Sequence, residues 1–130
     1  FADAHGALTY APGTLDRARQ DALTHMLLDE FDAVLWTAAR HSFVLPQERR
    51  VPEVKDSLRW EFGSSAARLA EQLGDGPFLM DETMTIADIL CAHCLSWARN
   101  AKFPVEDARL TAYLTRMTER PAYLRATGAA

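Results

Sequence analysis

The chain has 130 residues, of which 48% are hydrophobic and 25% are charged, and its formal net charge is -4. This length and composition are typical of one globular domain that buries its own core. The negative charge argues against a nucleic-acid surface, and no apolar run approaches the ~20 residues of a membrane span. The start lacks the pattern of a secretory signal, and two cysteines do not make a disulfide framework, so we expect a cytoplasmic protein.

The first two predicted elements are long helices. Ala11–Gly13 has the composition of a turn. From about residue 15 to residue 43, apolar residues recur three and four apart, which is typical of one long helix with Thr14 as its N-cap. A second helix is predicted with Pro52 in its first turn, where a missing N–H does no harm, and with Gly74–Gly76 as its end.

The next predicted element is a helix with its own cap, at residues 85–100. Thr85 and Asp88 have the Ser/Thr-x-x-Asp/Glu spacing of a capping box, in which each side chain accepts a hydrogen bond from the other residue's backbone. The residues that follow are apolar on nearly every side, which predicts a buried helix. We therefore expect Asp88 to serve the structure of the helix start rather than acid–base chemistry.

Two shorter helices complete the predicted fold, at about residues 105–118 and from Pro121 onward. No segment alternates apolar and polar residues as a half-buried strand does. The sequence therefore predicts an all-α fold, a bundle of about five helices around a buried, N-capped central helix.

The loop before the capped helix resembles a segment of the C-terminal, all-helical domain of cytosolic, bacterial-type glutathione transferases. In that family such a loop leads through Ser/Thr-x-Ala-Asp into the central helix, and the matching residues here are Pro77–Leu79 and Thr83–Asp88. Asp81 stands where the family commonly has a glycine with positive φ, which Asp tolerates better than most residues. The resemblance extends from residue 13 to about residue 125.

The resemblance implies that the chain consists of two segments and that two domains share the function. Residues 1–13 are expected to be the remnant of an upstream thioredoxin-like domain and a linker, and residues 14–130 the helical domain. The upstream domain would bind glutathione, the co-substrate, and activate its thiol. The helical domain would form part of a homodimer interface and one wall of a pocket for a small hydrophobic electrophile. This chain alone would then carry no catalytic residue.

The pocket wall is expected, by the same resemblance, on the inner side of the first long helix. The residues that correspond loosely to it share a helix face because they are three and four apart; they are Leu28, Asp32, Leu35, Trp36 and Arg40. In the alternative interpretation the apolar members of this set are ordinary core residues, and the two charged members are solvated or paired.

A metal site is not expected in this sequence. Cys91 and Cys94 lie three apart on one helix, but no further ligands occur at metal-binding spacing, and a zinc site needs about four. Two buried, free thiols are the favoured interpretation.

Alternative functions also stay open. A non-catalytic interaction module of glutathione-transferase type would have the same sequence pattern, and so would an isomerase or a dehalogenase on the same scaffold.

Overall fold

The computed structural model describes residues 1–128, and over this range it contains helices and no strand, which confirms the all-α prediction. Two isolated bridges, Phe78 with Asp81 and Met80 with Thr83, lie in one loop. The α-helices, in chain order, are α1 (Ala2–His5), α2 (Leu15–Leu27), α3 (Ala33–Ala39), α4 (Val54–Leu73), α5 (Ile86–Asn100), α6 (Ala108–Thr118) and α7 (Pro121–Thr127).

The first long helix is continuous but not regular. Two π turns, Leu28–Asp32 and Arg40–Val44, follow α2 and α3, and a short 3-10 turn lies at Gln47–Arg49. Thr14 caps the start, because its hydroxyl accepts from the Arg17 N–H at 3.1 Å. The expected single helix is thus present with two wider turns built into it.

The buried residues of this segment explain the wider turns. Four of them are spaced four apart, and we call these four the core stripe: Leu27, Phe31, Leu35 and Ala39. Residues four apart drift round the axis of an α-helix, which has 3.6 residues per turn. A π turn holds more residues per turn and cancels part of that drift, so the stripe stays on the core.

Helix α5 lies at the centre and packs against α2, α3 and α6. Its buried residues form most of one side, and the aromatic rings of Phe31, Phe62 and Phe103 stack edge to face nearby, with centroids 5.1 and 5.4 Å apart. The apolar sequence predicts a helix that is buried on every side, but one side of it is partly exposed. Ile89 is 47% exposed, because α7 and the N-terminal segment leave a groove over it.

The N-terminal segment packs on the helical body. The Leu8 carbonyl accepts from the Ile86 N–H at 2.9 Å, and the buried Gln20 side chain accepts from the Tyr10 N–H at 3.0 Å. Asp3 pairs with Arg17 of α2. The assignment of residues 1–13 to an upstream domain stays a prediction.

Of the helices within residues 1–128, none is both long and apolar enough to cross a bilayer.

Candidate functional site

Four of the five residues expected at the pocket wall form a row beside the core stripe, of which three are exposed and Asp32 is half-buried. We call this row the outer stripe: Leu28, Asp32, Trp36 and Arg40. Each follows directly after a member of the core stripe. Leu28 is 44% exposed and Trp36 is 47% exposed, large values for such apolar side chains. The fifth residue, Leu35, is 1% exposed and lies in the core, where it supports the outer stripe from behind.

The two π turns begin at residues of the outer stripe. The Leu28 carbonyl accepts from the Ala33 N–H, and the Arg40 carbonyl accepts from the Leu45 N–H at 3.0 Å, both in the i to i+5 pattern. Such turns occur frequently at functional sites because they shift side chains relative to a regular helix. Here they bracket the exposed face of Trp36.

The outer stripe carries one charge of each sign. Asp32 is half-buried and faces α5, where its charge adds to burial in raising the pKa of Cys94 to about 12. Arg40 is exposed. Leu28 also lines a surface depression of about 550 Å³ with His25, Met26 and Asp29. The row therefore combines apolar surface with polar groups that could orient a bound molecule.

The other side of the first π turn is fixed to α4. Glu30 accepts a 2.8 Å hydrogen bond from the Ser65 hydroxyl and pairs with Arg68. The Ser65 hydrogen bond, and then Arg68, lower the pKa of Glu30, so the carboxylate stays charged. This anchoring holds the π turn in place while its outer residues stay accessible.

The start of α5 satisfies its backbone donors inside the protein. The capping box predicted for Thr85 and Asp88 is complete, and the Thr85 hydroxyl also accepts from the Ala87 N–H at 3.2 Å. Asp88 accepts from the Thr85 N–H at 2.8 Å. Both residues are 0% exposed, so water cannot replace these bonds.

Asp88 also joins α5 to two other parts of the chain. Its second carboxylate oxygen accepts from the Leu79 N–H and from the Tyr113 hydroxyl, each at 2.9 Å. The loop that contains Leu79 turns at Asp81, which has the positive φ of 55° that the family's glycine would supply. One buried carboxylate thus holds together the loop, the helix start and α6.

The two cysteines are free and buried, with 0% and 1% exposure. Burial raises the pKa of both thiols above the ordinary value of 9.0, for Cys94 to about 12. A thiol in that state is a poor nucleophile and a poor metal ligand. In the part of the chain that the structure describes, no three His, Cys, Asp or Glu residues converge as a metal site would require.

Sequence reasoning missed the partner of Asp88 on α6. Tyr113 is 0% exposed, and a buried tyrosine hydroxyl usually finds a hydrogen-bond partner. The burial of Tyr113 indicates that its hydroxyl has a partner, but it does not identify Asp88, because the two residues are 25 positions apart in the chain. The π turns were missed for a similar reason, although the four-residue spacing of the core stripe was visible in the sequence.

The comparison with protein-family models identifies one family. The model of the family described as the glutathione S-transferase C-terminal domain matches residues 31–121. No curated protein sequence matches the chain.

Among solved structures, a glutathione transferase from Methylococcus capsulatus strain Bath has a TM-score of 0.82 at 22% identity, over 98% of this chain and 60% of that one. BphK, a bacterial GST in a ternary complex, has a TM-score of 0.79 at 22% identity, over 93% and 59%. A sphingomonad glutathione S-transferase complexed with glutathione has a TM-score of 0.72 at 27% identity, over 98% and 61%. The chain thus spans about 60% of the length of the structures it matches.

Proposed function

Because this chain belongs to the family of glutathione S-transferase C-terminal domains, we propose that it is the helical half of a glutathione transferase. In this role it supplies one wall of a pocket for a small hydrophobic electrophile. A thioredoxin-like half supplies the glutathione site and the group that activates the thiol. The observation that carries the proposal is the outer stripe, whose apolar members stay about half exposed beside two π turns.

The chemistry of the outer stripe suits an aromatic or aliphatic electrophile. Covering the exposed parts of Leu28 and Trp36 removes apolar surface from water, at about 25 cal/mol per Å². An indole face also stacks on aromatic rings. Arg40 could hold the polar substituent that takes up negative charge during the attack of a thiolate.

The attacking sulfur is proposed to be that of glutathione. Neither thiol of this chain suits the role, because Cys91 and Cys94 are buried and their pKa values are raised. The proposed reaction forms a bond between the glutathione thiolate sulfur and the electrophilic carbon, and the leaving group departs with the electron pair of the bond that breaks, as chloride leaves 1-chloro-2,4-dinitrobenzene. The proposed partners are therefore the thioredoxin-like domain and, in a homodimer, a second copy, in the cytoplasm.

A binding experiment tests the role of the outer stripe. The probe is S-(2,4-dinitrophenyl)glutathione, a conjugation product, titrated into the ¹⁵N-labelled chain while the indole N–H signals are followed by NMR. Trp36→Ala should weaken binding about fivefold, from the loss of one aromatic contact. Trp60→Ala is the matched control, because Trp60 is 74% exposed on α4, outside the outer stripe, and it should leave binding unchanged.

Two results would count against this role. Equal losses in the two tryptophan variants would show that the probe binds without the outer stripe. No binding to the wild-type chain would show that the outer stripe does not by itself form a pocket wall for this probe.

The chain alone should not catalyse conjugation. Its own residues place no activated nucleophile at the outer stripe, and the proposed thiol-activating group lies in another domain. An assay of the purified chain with glutathione and 1-chloro-2,4-dinitrobenzene should match the uncatalysed rate. Turnover clearly above that rate, abolished by Trp36→Ala but not by Trp60→Ala, would contradict the proposed division of labour.

A further inference from the structure

A positively charged depression lies at the end of α5, beside the loop that leads to α6. Its volume is about 540 Å³, which is within the size range of small-molecule sites, about 300–1,000 Å³. We call it the α5–α6 depression, and define it by Arg59, Arg99, Lys102, Phe103, Pro104 and Glu106. It shares no residue with the outer stripe.

We propose that the α5–α6 depression binds a small phosphate monoester, whose phosphate contacts Arg99 and Lys102 and whose organic part covers the apolar floor. The proposal does not rest on the proposed transferase function, because it uses other residues at the opposite end of α5 from its capped start.

The charge of the depression favours an anion. The chain has a formal net charge of -4, yet three of the side chains that line the depression are cationic and one, Glu106, is anionic. Arg59 pairs with Asp56 at 3.5 Å. Arg99 and Lys102 are exposed and belong to none of the ion pairs within residues 1–128. A phosphate monoester carries about 1.5 to 2 negative charges at pH 7, which two unpaired cations can match.

The end of α5 does not need these two cations for its own carbonyl groups. Basic side chains near the end of a helix commonly bond the last carbonyls. Here backbone N–H groups do so instead. The Ala98 carbonyl accepts from the Phe103 N–H at 2.8 Å. The Arg99 carbonyl accepts from the Lys102 N–H at 3.1 Å. The side chains of Arg99 and Lys102 are therefore available to another partner.

Lys102 has a backbone conformation that glycine adopts at lower cost. Its φ is 59°, in the left-handed region, and glycine is the usual residue at this position after a helix. A residue with a side chain is strained there, and such strain concentrates at functional sites. The lysine therefore places a cation at the depression at a cost in stability.

The floor of the depression accounts for the organic part of the ligand. Phe103 is buried and Pro104 is half-buried. The Phe103 ring lies 5.6 Å from the Arg59 guanidinium and packs edge to face on Phe62, with centroids 5.4 Å apart. Because these contacts hold the floor before any ligand binds, little ordering opposes binding. A ligand ring that covers the floor removes apolar surface from water.

An NMR titration of the ¹⁵N-labelled whole chain with phenyl phosphate tests the proposal. We expect saturable shifts of the Lys102 and Phe103 amide signals. Phenyl sulfate has the same ring and a single charge, so it should bind at least about threefold more weakly. Inorganic phosphate lacks the ring and should also bind more weakly. Arg99→Gln should weaken phenyl phosphate binding about fivefold, the effect of one exposed charge pair.

Lys102→Gly separates binding from folding. It should weaken phenyl phosphate binding about fivefold, because the cation is lost. It should unfold at the same temperature as the wild-type chain or at a higher one, because glycine removes the strain. A variant that loses stability together with binding would show that Lys102 serves the fold, which contradicts the proposal.

Arg125→Gln is the matched control, since it removes one exposed positive charge on α7, outside the depression. It should bind phenyl phosphate as the wild-type chain does. The proposal is overturned if phenyl phosphate leaves the two amide signals unchanged, or if phenyl sulfate binds as tightly. It is also overturned if Arg99→Gln and Arg125→Gln weaken binding equally, because attraction to the overall charge would then explain the shifts.

Discussion

At the start of α5 and at the π turns of the first long helix, backbone N–H groups lack the usual i to i+4 acceptor, and the two regions satisfy these groups in opposite ways. At the start of α5, buried side chains of Thr85 and Asp88 supply the acceptors, and every contact is sealed from water. At the π turns, the backbone supplies its own acceptors at Leu28 and Arg40. The Leu28 and Arg40 side chains stay exposed to solvent.

This difference indicates which residues stabilise the fold and which are available to bind a ligand. A buried side chain that satisfies several donors cannot be removed without leaving unpaired polar groups. An exposed side chain on a backbone that satisfies itself can be changed at little structural cost. We therefore expect changes near α5 to affect folding, and changes along the outer stripe to affect binding.

The largest expected effect comes from removing the buried hydrogen bonds at the start of α5. Asp88→Ala should lower the free energy of unfolding by about 3–5 kcal/mol, because it leaves the Leu79 N–H and the Thr85 N–H without their acceptor. The Tyr113 hydroxyl would keep only its longer, 3.3 Å hydrogen bond to the Asp88 backbone carbonyl. Denaturant titration measures the change. Asp75→Ala, at an exposed turn, is the control and should change it by less than about 0.5 kcal/mol. Similar, small changes in both variants would refute the capping role.

The buried thiols predict a second effect on stability, which depends on pH. Burial raises the pKa of Cys94 to about 12, from an ordinary value of 9.0, and also raises that of Cys91. Below the unfolded value both states keep their protons and stability is full. Above it only the unfolded chain loses them, so the free energy of unfolding should fall by about 1.4 kcal/mol per pH unit for each thiol.

The measurement is a set of denaturant titrations from neutral pH to about pH 10.5, between the unfolded and folded thiol pKa values. The control is the double variant Cys91→Ala and Cys94→Ala. Its stability should fall less steeply with pH than that of the wild-type chain. Identical slopes would mean that the thiols are not held neutral by burial.

The smallest expected effect concerns the loop that Asp88 holds. Asp81 has a φ of 55° and is exposed, so Asp81→Gly should relieve backbone strain. Part of that gain is offset by the greater freedom of glycine in the unfolded chain. We expect a net stabilisation of up to about 1 kcal/mol by thermal or denaturant unfolding. Asp75→Gly, at an exposed position without positive φ, should be neutral or destabilising, and an equal gain there would remove the strain argument.

The sequence was sufficient for features whose partners lie close together in the chain. The capping box of Thr85 and Asp88 spans four residues, so its pattern predicted the helix start and the central helix. Helix spacing and turn residues likewise predicted the other helices and the all-α class, which the structure confirms.

Features that depend on packing between distant segments were not accessible in the same way. Periodicity placed Leu35 and Trp36 on one face, yet one is buried and the other is half exposed. Which of two adjacent residues is buried depends on what the helix packs against, and those partners are distant in the chain. Ile89 looked buried because its helix is apolar, and only the positions of α7 and Leu8 leave it open to a groove.

The most direct test of the account is amide hydrogen exchange of the whole chain, with and without S-(2,4-dinitrophenyl)glutathione. The amides to compare are those of Ala33 and Leu45, which close the π turns, and those of Ile86 and Ala87 at the start of α5. We predict that the π-turn amides exchange faster in the free chain and are slowed by the ligand, while the α5 amides stay unchanged. Ligand protection confined to the start of α5, or none at the π turns, would contradict the claim that the outer stripe is the binding surface.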